Sequence, residues 1–225
     1  MKRIEAGISQ STMNREQAYL RAVFNENIRL GHWKRENPLK NIRAFKIQER
    51  ELSYLSHEQI ASLLTRLAAS KNKHVALIAK VCLATGARWG EAEQLRITQV
   101  RDGVIQFVKT KSSKSRAVPI TEDLEKELKA HHKDHSEDER IFISAYSAFR
   151  EGITQAKLKM SDGQLTHILR HTFASHFMMN GGNILALQKL LGHHSLTMTM
   201  RYAHLSPEHL QEVRRLNPLT RINLG

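Results

Sequence analysis

Hydrophobic positions along this chain recur mostly every three or four residues, the spacing of one face of an α-helix. From about Ser11 to Leu30, the residues Leu20, Phe24 and Ile28 fall at intervals of four, and Gly31 stands where that helix would stop. Ser56 followed three residues later by Gln59 is a capping-box pattern, and Ile60, Leu63, Leu64 and Leu67 then share one face. The run from Val75 to Ala84 lacks a polar face, which predicts a buried helix broken by Thr85-Gly86. One stretch departs from the helical period. Asp102-Gly103 is a turn signal, Val104 to Val108 reads as a strand and Arg116 to Ile120 as its partner, with Lys111-Ser112-Ser113-Lys114 as the hairpin tip.

Beyond Thr121 the helical period returns. Asn180-Gly181-Gly182 ends a helix bearing His167 and Arg170, and Asn183 is placed to cap the next one. Ile184, Leu187, Leu190 and Leu191 form the buried face of that helix, and Gly192 closes it. Ser195 then caps a short helix carrying Tyr202. Ser206-Pro207-Glu208 starts a terminal helix with Leu210, Val213 and Leu216 on its apolar stripe. The pattern predicts a mainly α protein with a small antiparallel β-sheet, an α+β fold. Between Ala44 and Glu51 the chain is polar and charged with no apolar period, which reads as a linker. The division expected is a helical region at 1–46, a linker at 47–52 and a larger domain at 53–225.

Composition narrows the function. Hydrophobic residues make up 40% of 225, enough for a core and too many for a disordered chain. Thirty-five Lys and Arg against 22 Asp and Glu give a formal charge of +13, a surplus that favours a polyanionic partner, nucleic acid first. A ribosomal or merely basic protein would share that charge. No apolar stretch reaches the roughly 18 residues of a membrane span, and the first residues lack a signal-peptide core. Cys82 is the single cysteine, which leaves no disulfide framework and no cysteine-based zinc site. A cytoplasmic protein working on DNA fits these features.

The candidate chemistry lies in a series of basic residues ahead of one tyrosine. Arg88 stands in Thr-Gly-Ala-Arg-Trp-Gly-Glu, His167 and Arg170 in His-Ile-Leu-Arg, His193 in Leu-Leu-Gly-His, and Tyr202 follows. His167 and Arg170 at a spacing of three share a helix face; a solvated basic face is the plain alternative. His167 and His171 have the spacing of helical metal ligands but lack the glutamate between them that the metalloprotease word requires. Arg88 and Arg170 could fork the two non-bridging oxygens of a phosphate, with Glu91 orienting Arg88. Tyr202 alone would read as a packing residue.

The ordered set resembles the tyrosine recombinase (phage integrase) family. Its intervals match as well: three residues from His167 to Arg170, twenty-three to His193 and nine to Tyr202. The resemblance implies a metal-free, cofactor-free phosphoryl transfer in which Tyr202 attacks the scissile phosphate and forms a 3′-phosphotyrosyl link. Arg88, Arg170 and His193 would stabilise charge on the non-bridging oxygens. Lys111, placed by its distance to Pro119 and with Lys109 and Lys114 as rivals, would protonate the leaving 5′ oxygen, and His167 would assist. It implies double-stranded attachment-site DNA as partner, a tetramer on DNA, accessory DNA-bending proteins and a bacterial cytoplasm. Within the partial helical region at 1–46, Asn27 to Ile42, with Gly31-His32-Trp33 and Asn37-Pro38, resembles the end of the family's core-DNA-binding domain, which reads as an N-terminal truncation. A DNA-binding remnant without strand transfer and a type IB topoisomerase are the competing functions.

Overall fold

The computed structural model describes residues 7–47, 53–108, 115–136, 138–158, 165 and 167–207. The chain divides into two compact units, Met1–Glu51 and Leu52–Gly225.

In the first unit α1 spans Gln10–Arg29, capped by the Ser9 side chain, which accepts from the Thr12 N–H. Gly31 adopts φ +76 and ends it, a conformation that costs a glycine little. The expected stripe forms no sealed core: Leu20 is 54% exposed, and Phe24 meets Trp33 edge-on with ring centroids 5.1 Å apart. Polar side chains do much of the holding instead. Asn14 Nδ2 donates to the Phe45 carbonyl while its Oδ1 accepts from the Phe45 N–H, at 2.9 and 2.8 Å. Arg21 Nη2 donates to the carbonyls of Leu39 and Ile42.

The second unit has a closed core. Helix α2, His57–Ala68, begins with the reciprocal Ser56–Gln59 capping box and buries Leu63 and Leu67. Helix α3, Val75–Thr85, buries seven of its eleven residues, as its unbroken apolar sequence demands. It stops at Gly86, where φ is +67 and a Cβ would press into Phe173 and Leu191. A short helix α4, Trp89–Glu93, leads to a three-stranded antiparallel sheet ordered β1 (Val100–Arg101), β2 (Val104–Phe107), β3 (Arg116–Pro119).

Helices α5 (Glu122–His135), α6 (Tyr146–Gln155), α7 (Ile168–Met179), α8 (Ile184–Leu191) and α9 (Thr197–Met200) follow. Asn183 caps α8 by accepting from the N–H groups of Leu185 and Ala186, and Gly192 closes that helix at φ +67. Helices α3 and α7 pack side by side at the centre. Tyr202 joins a smaller apolar cluster with Ala174, Met178, Leu187 and Leu191.

Four expectations change. Asp102-Gly103 joins β2 to an additional short strand, β1, through a turn with positive φ at both positions, the twist a two-residue hairpin favours. The hairpin strands end one residue early, at Phe107 and Pro119. His167 sits at the N-cap of α7 rather than inside the helix. Tyr202 lies in the turn after α9, just before a 3-10 turn at Ala203–Leu205, and Leu196 rather than Ser195 precedes α9. The hairpin tip with Lys111 and the terminal helix from Glu208 onward lie outside the described residues. Among the described residues no helix is long and apolar enough to cross a membrane.

Candidate active site

Two helices end in left-handed glycine caps, α3 at Gly86 and α8 at Gly192, and the carbonyls at those ends have no intrahelical partner. Arg170, on the first turn of α7, serves both. Its Nη1 donates to the Gly86 carbonyl at 2.8 Å and its Nη2 to the Leu191 carbonyl at 2.7 Å. The guanidinium is buried, 4% exposed, and meets the negative end of α8. Burial, reinforced by the nearby Arg88 charge, lowers its pKa to about 10, so it remains cationic at neutral pH.

The same break at Gly86 delivers Arg88, the N-cap of α4. Glu91 holds it twice: Oε2 accepts from the Arg88 backbone N–H at 3.0 Å and Oε1 from Arg88 Nη1 at 3.1 Å. That is the charged hydrogen bond expected between them. Glu91 has a second partner that sequence reasoning missed. Arg116, first residue of β3, donates from Nη2 to Oε2 at 2.7 Å and from Nη1 to Oε1 at 3.3 Å. The signal was available: strict alternation puts Arg116 on the same buried face as Val118, so a charge points inward.

His193 follows the Gly192 cap, and its Nδ1 lies 2.8 Å from Thr199 Oγ1, a fully buried hydroxyl. Burial pushes its pKa down to about 4, helped by Arg170 and Arg88. His167 is lowered by burial and then by the same two arginines. These shared perturbations put Arg88, Arg170, His167 and His193 in one electrostatic neighbourhood, with both imidazoles neutral at pH 7.

Tyr202 is 2% exposed, and its Oη lies 2.6 Å from His171 Nδ1. Burial raises the phenol pKa, while Arg170 and Arg201 pull it partly back. His171 is itself pushed down to about 4, by burial first and His167 second. A phenol above its usual value of about 10 beside an imidazole near 4 keeps its proton. In sequence, His171 stands out only by its helical ligand spacing to His167. Those two rings are 6.1 Å apart, and among the described residues no group of three or more His, Cys, Asp or Glu is arranged to hold a metal ion.

Comparison with known proteins follows the same division of the chain. Residues 53–209 match the model of the phage integrase family, and residues 1–46 match that of the phage integrase N-terminal domain. The integrase of Escherichia phage 186 is 49% identical over 215 residues, covering 96% of this chain and 62% of its own length. The integrase of Haemophilus phage HP1 is 49% identical over 211 residues, covering 94% of this chain and 61% of its own. The chain thus spans about three-fifths of the length of these relatives. The solved catalytic domain of bacteriophage HP1 integrase superimposes with a TM-score of 0.70 at 47% identity, covering 76% of this chain and 98% of that domain. The Tn1549 transposon integrase in complex with circular intermediate DNA shares the fold at 20% identity, with a TM-score of 0.75 over 95% of this chain and 81% of that one. On the family match and the two phage relatives, the chain belongs to the phage integrase family, the tyrosine recombinases.

Proposed function

We propose that this protein cleaves and rejoins double-stranded DNA at specific sites, as a phage or genomic-island integrase, through a covalent 3′-phosphotyrosyl intermediate. The observation that carries the reading is the meeting of Arg170 with Arg88, His167 and His193, in a chain position adjacent to the histidine that holds Tyr202 Oη. Tyr202 Oη bonds to the scissile phosphorus as its proton passes to His171 Nδ1, and the bond to the 5′ oxygen breaks. Lys111, outside the described residues, donates the proton that the leaving oxygen takes up. Arg88 and Arg170 bind the non-bridging oxygens, His193 donates to one of them, and His167 assists in placing the phosphate. The phosphotyrosyl bond preserves the energy needed for rejoining, so no nucleotide is consumed. Neither metal nor cofactor enters these steps.

The resting site supplies an uncharged nucleophile. Proton transfer from the buried phenol to His171 is strongly uphill until something changes the local field. A DNA phosphate does so: its negative charge opposes that of the arginines and raises the proton affinity of the imidazoles around it. The 1–46 region contributes DNA contacts as part of a core-binding domain, and 47–52 is its linker to the catalytic domain at 53–225. The protein acts in a bacterial cytoplasm, as a tetramer on paired attachment sites with accessory DNA-bending proteins.

The test uses nicked duplexes of randomised sequence incubated with the 225-residue chain, with covalent adducts recovered from a denaturing gel and sequenced. A recurring sequence in adducts formed with excess EDTA present supports the proposal. Adducts that survive Tyr202→Phe overturn the assignment of the nucleophile. Among the lysines, Lys111→Ala should slow cleavage strongly and recover on a 5′-bridging phosphorothiolate, whose sulfur leaves without a proton.

A further inference from the structure

The carboxylate of Glu91 is shared unequally. Arg116 grips both oxygens with its two terminal nitrogens, whereas Arg88 donates one bond from its side chain and one from its backbone N–H. The side chain of Arg116 is sealed, 5% exposed, and that of Arg88 is open at 24%. Within this trio one carboxylate serves two guanidiniums, and the geometry gives its side-chain fork to the buried partner.

Strand pairing builds this arrangement. Phe107 on β2 is the register partner of Arg116 on β3, and the Arg116 guanidinium carbon lies 4.5 Å from the centre of the Phe107 ring. The ring face attracts the cation and keeps it stacked on the sheet. Holding a charge here is costly. Arg116 Nε is buried with no hydrogen-bond partner, which a methionine of similar length would avoid. A residue present only for packing would not need the charge.

We infer that Arg116 is a positioning residue for strand cleavage: by gripping Glu91 it stops that carboxylate from closing its own fork on Arg88, and so keeps Arg88 directed toward phosphate. Without Arg116 the Glu91 carboxylate would neutralise Arg88 one to one, and a bidentate Arg–carboxylate pair would consume the donors that a phosphate needs. Arg116 also acts electrostatically on Arg170 and His193, which places it at the edge of the same site. The role rests on the reading of this site as a strand-cleavage site, but the placement of Arg88 can be tested without cleavage.

Two measurements separate the ideas. In single-turnover reactions on the duplex recovered from the randomised pool, Arg116→Met should lower the adduct-forming rate about 100-fold, the scale of a roughly 1 Å misplacement of a reacting group. Its apparent Kd for that duplex should change less than about threefold, as expected when one phosphate contact is degraded among many. Arg116→Lys, which keeps the charge and loses the fork, should fall between. Glu91→Gln should slow the wild-type protein but slow Arg116→Met no further, because the loss in that variant already runs through the freed Glu91 carboxylate. A wild-type rate in Arg116→Met, equal losses in rate and affinity, or independent multiplication of the two effects would overturn the inference. Should Arg116→Met not fold, Arg116→Lys carries the same test, with a wild-type rate as the refuting result.

The second measurement is the spectrum of protein labelled with [15N]arginine. The Arg88 side-chain N–H signals, assigned from Arg88→Lys, should shift in Arg116→Met and not in a surface control, Arg96→Lys. Unmoved Arg88 signals would refute the positioning role. Absence of any adduct from the wild-type chain would count against the strand-cleavage reading, while this spectrum still decides the role of Arg116.

Discussion

The chain gathers histidines at two places. His74, His131 and His135 cluster with Phe142 where α3 begins and α5 ends, with His131 Nε2 2.8 Å from His74 Nδ1. His167, His171 and His193 gather around Arg170. Burial lowers the proton affinity of His74 and His131 in the first group and of all three in the second, His131 to about 4 and His193 to about 4. A depressed pKa therefore does not mark a site in this protein. Their neighbours differ: the first group's rings meet one another and a phenylalanine, whereas the second is perturbed by arginines and bonds to the hydroxyls of Tyr202 and Thr199. The first group is ring packing; among the described residues the second sets arginines beside the hydroxyl that we propose as the nucleophile.

The sharpest contrast should come from removing one hydroxyl. Tyr202→Phe should eliminate the covalent adduct while lowering stability by only about 1 kcal/mol, the worth of one hydrogen bond. His131→Phe should leave adduct formation at the wild-type level. Denaturing gels and urea titrations of both variants check this, and an adduct lost in His131→Phe would dissolve the distinction.

Arg170→Leu tests the second group's scaffold. It strips donors from two buried carbonyls, at Gly86 and Leu191, and should cost roughly 3 kcal/mol in a urea titration. A loss below about 1 kcal/mol would mean that the helix ends find other partners.

Acid should expose both groups together, and DNA should tell them apart. His131, His171 and His193 have folded pKa values near 4 against an ordinary value of 6.5. Between those values the unfolded chain binds more protons, so stability is fully present above pH 6.5 and falls as pH drops toward 4. His131→Leu should flatten part of that decline in thermal melts. DNA binding near pH 5.5 should take up protons at the second group alone. Calorimetry in buffers of different ionisation enthalpy reads this, and uptake that disappears in His131→Leu would place the effect in the wrong group.

The smallest effect is expected at the margin of the first group. Lys80 and Glu127 link α3 to α5 at 2.5 Å, but both side chains are about two-fifths exposed. Lys80→Ala should cost no more than about 0.5 kcal/mol, and less at high salt.

Helix boundaries were largely legible because their signals are local. The Ser56–Gln59 box, the Asn183 cap and the glycines at 86 and 192 act within one turn of where they stand. The sheet was legible in its two longer strands; β1 is two residues long and shows no period of its own. Sequence spacing alone puts Tyr202 on a helix, because nothing nearby announces that α9 ends after four residues.

The sequence by itself determined the mainly helical α+β class, the basic surplus and the order of residues carrying the family resemblance. Only the tertiary structure decided that Arg170 spends two donors on helix ends, that Glu91 serves Arg116 as well as Arg88, and that His171 holds the hydroxyl of Tyr202. Those partners lie 84, 25 and 31 residues apart for the Gly86, Arg116 and Tyr202 contacts. A cap or a turn depends on dihedral preferences within a few residues, so it is written locally. A buried charge has no local preference that names its partner; which groups satisfy it depends on what the packed core brings within about 3 Å.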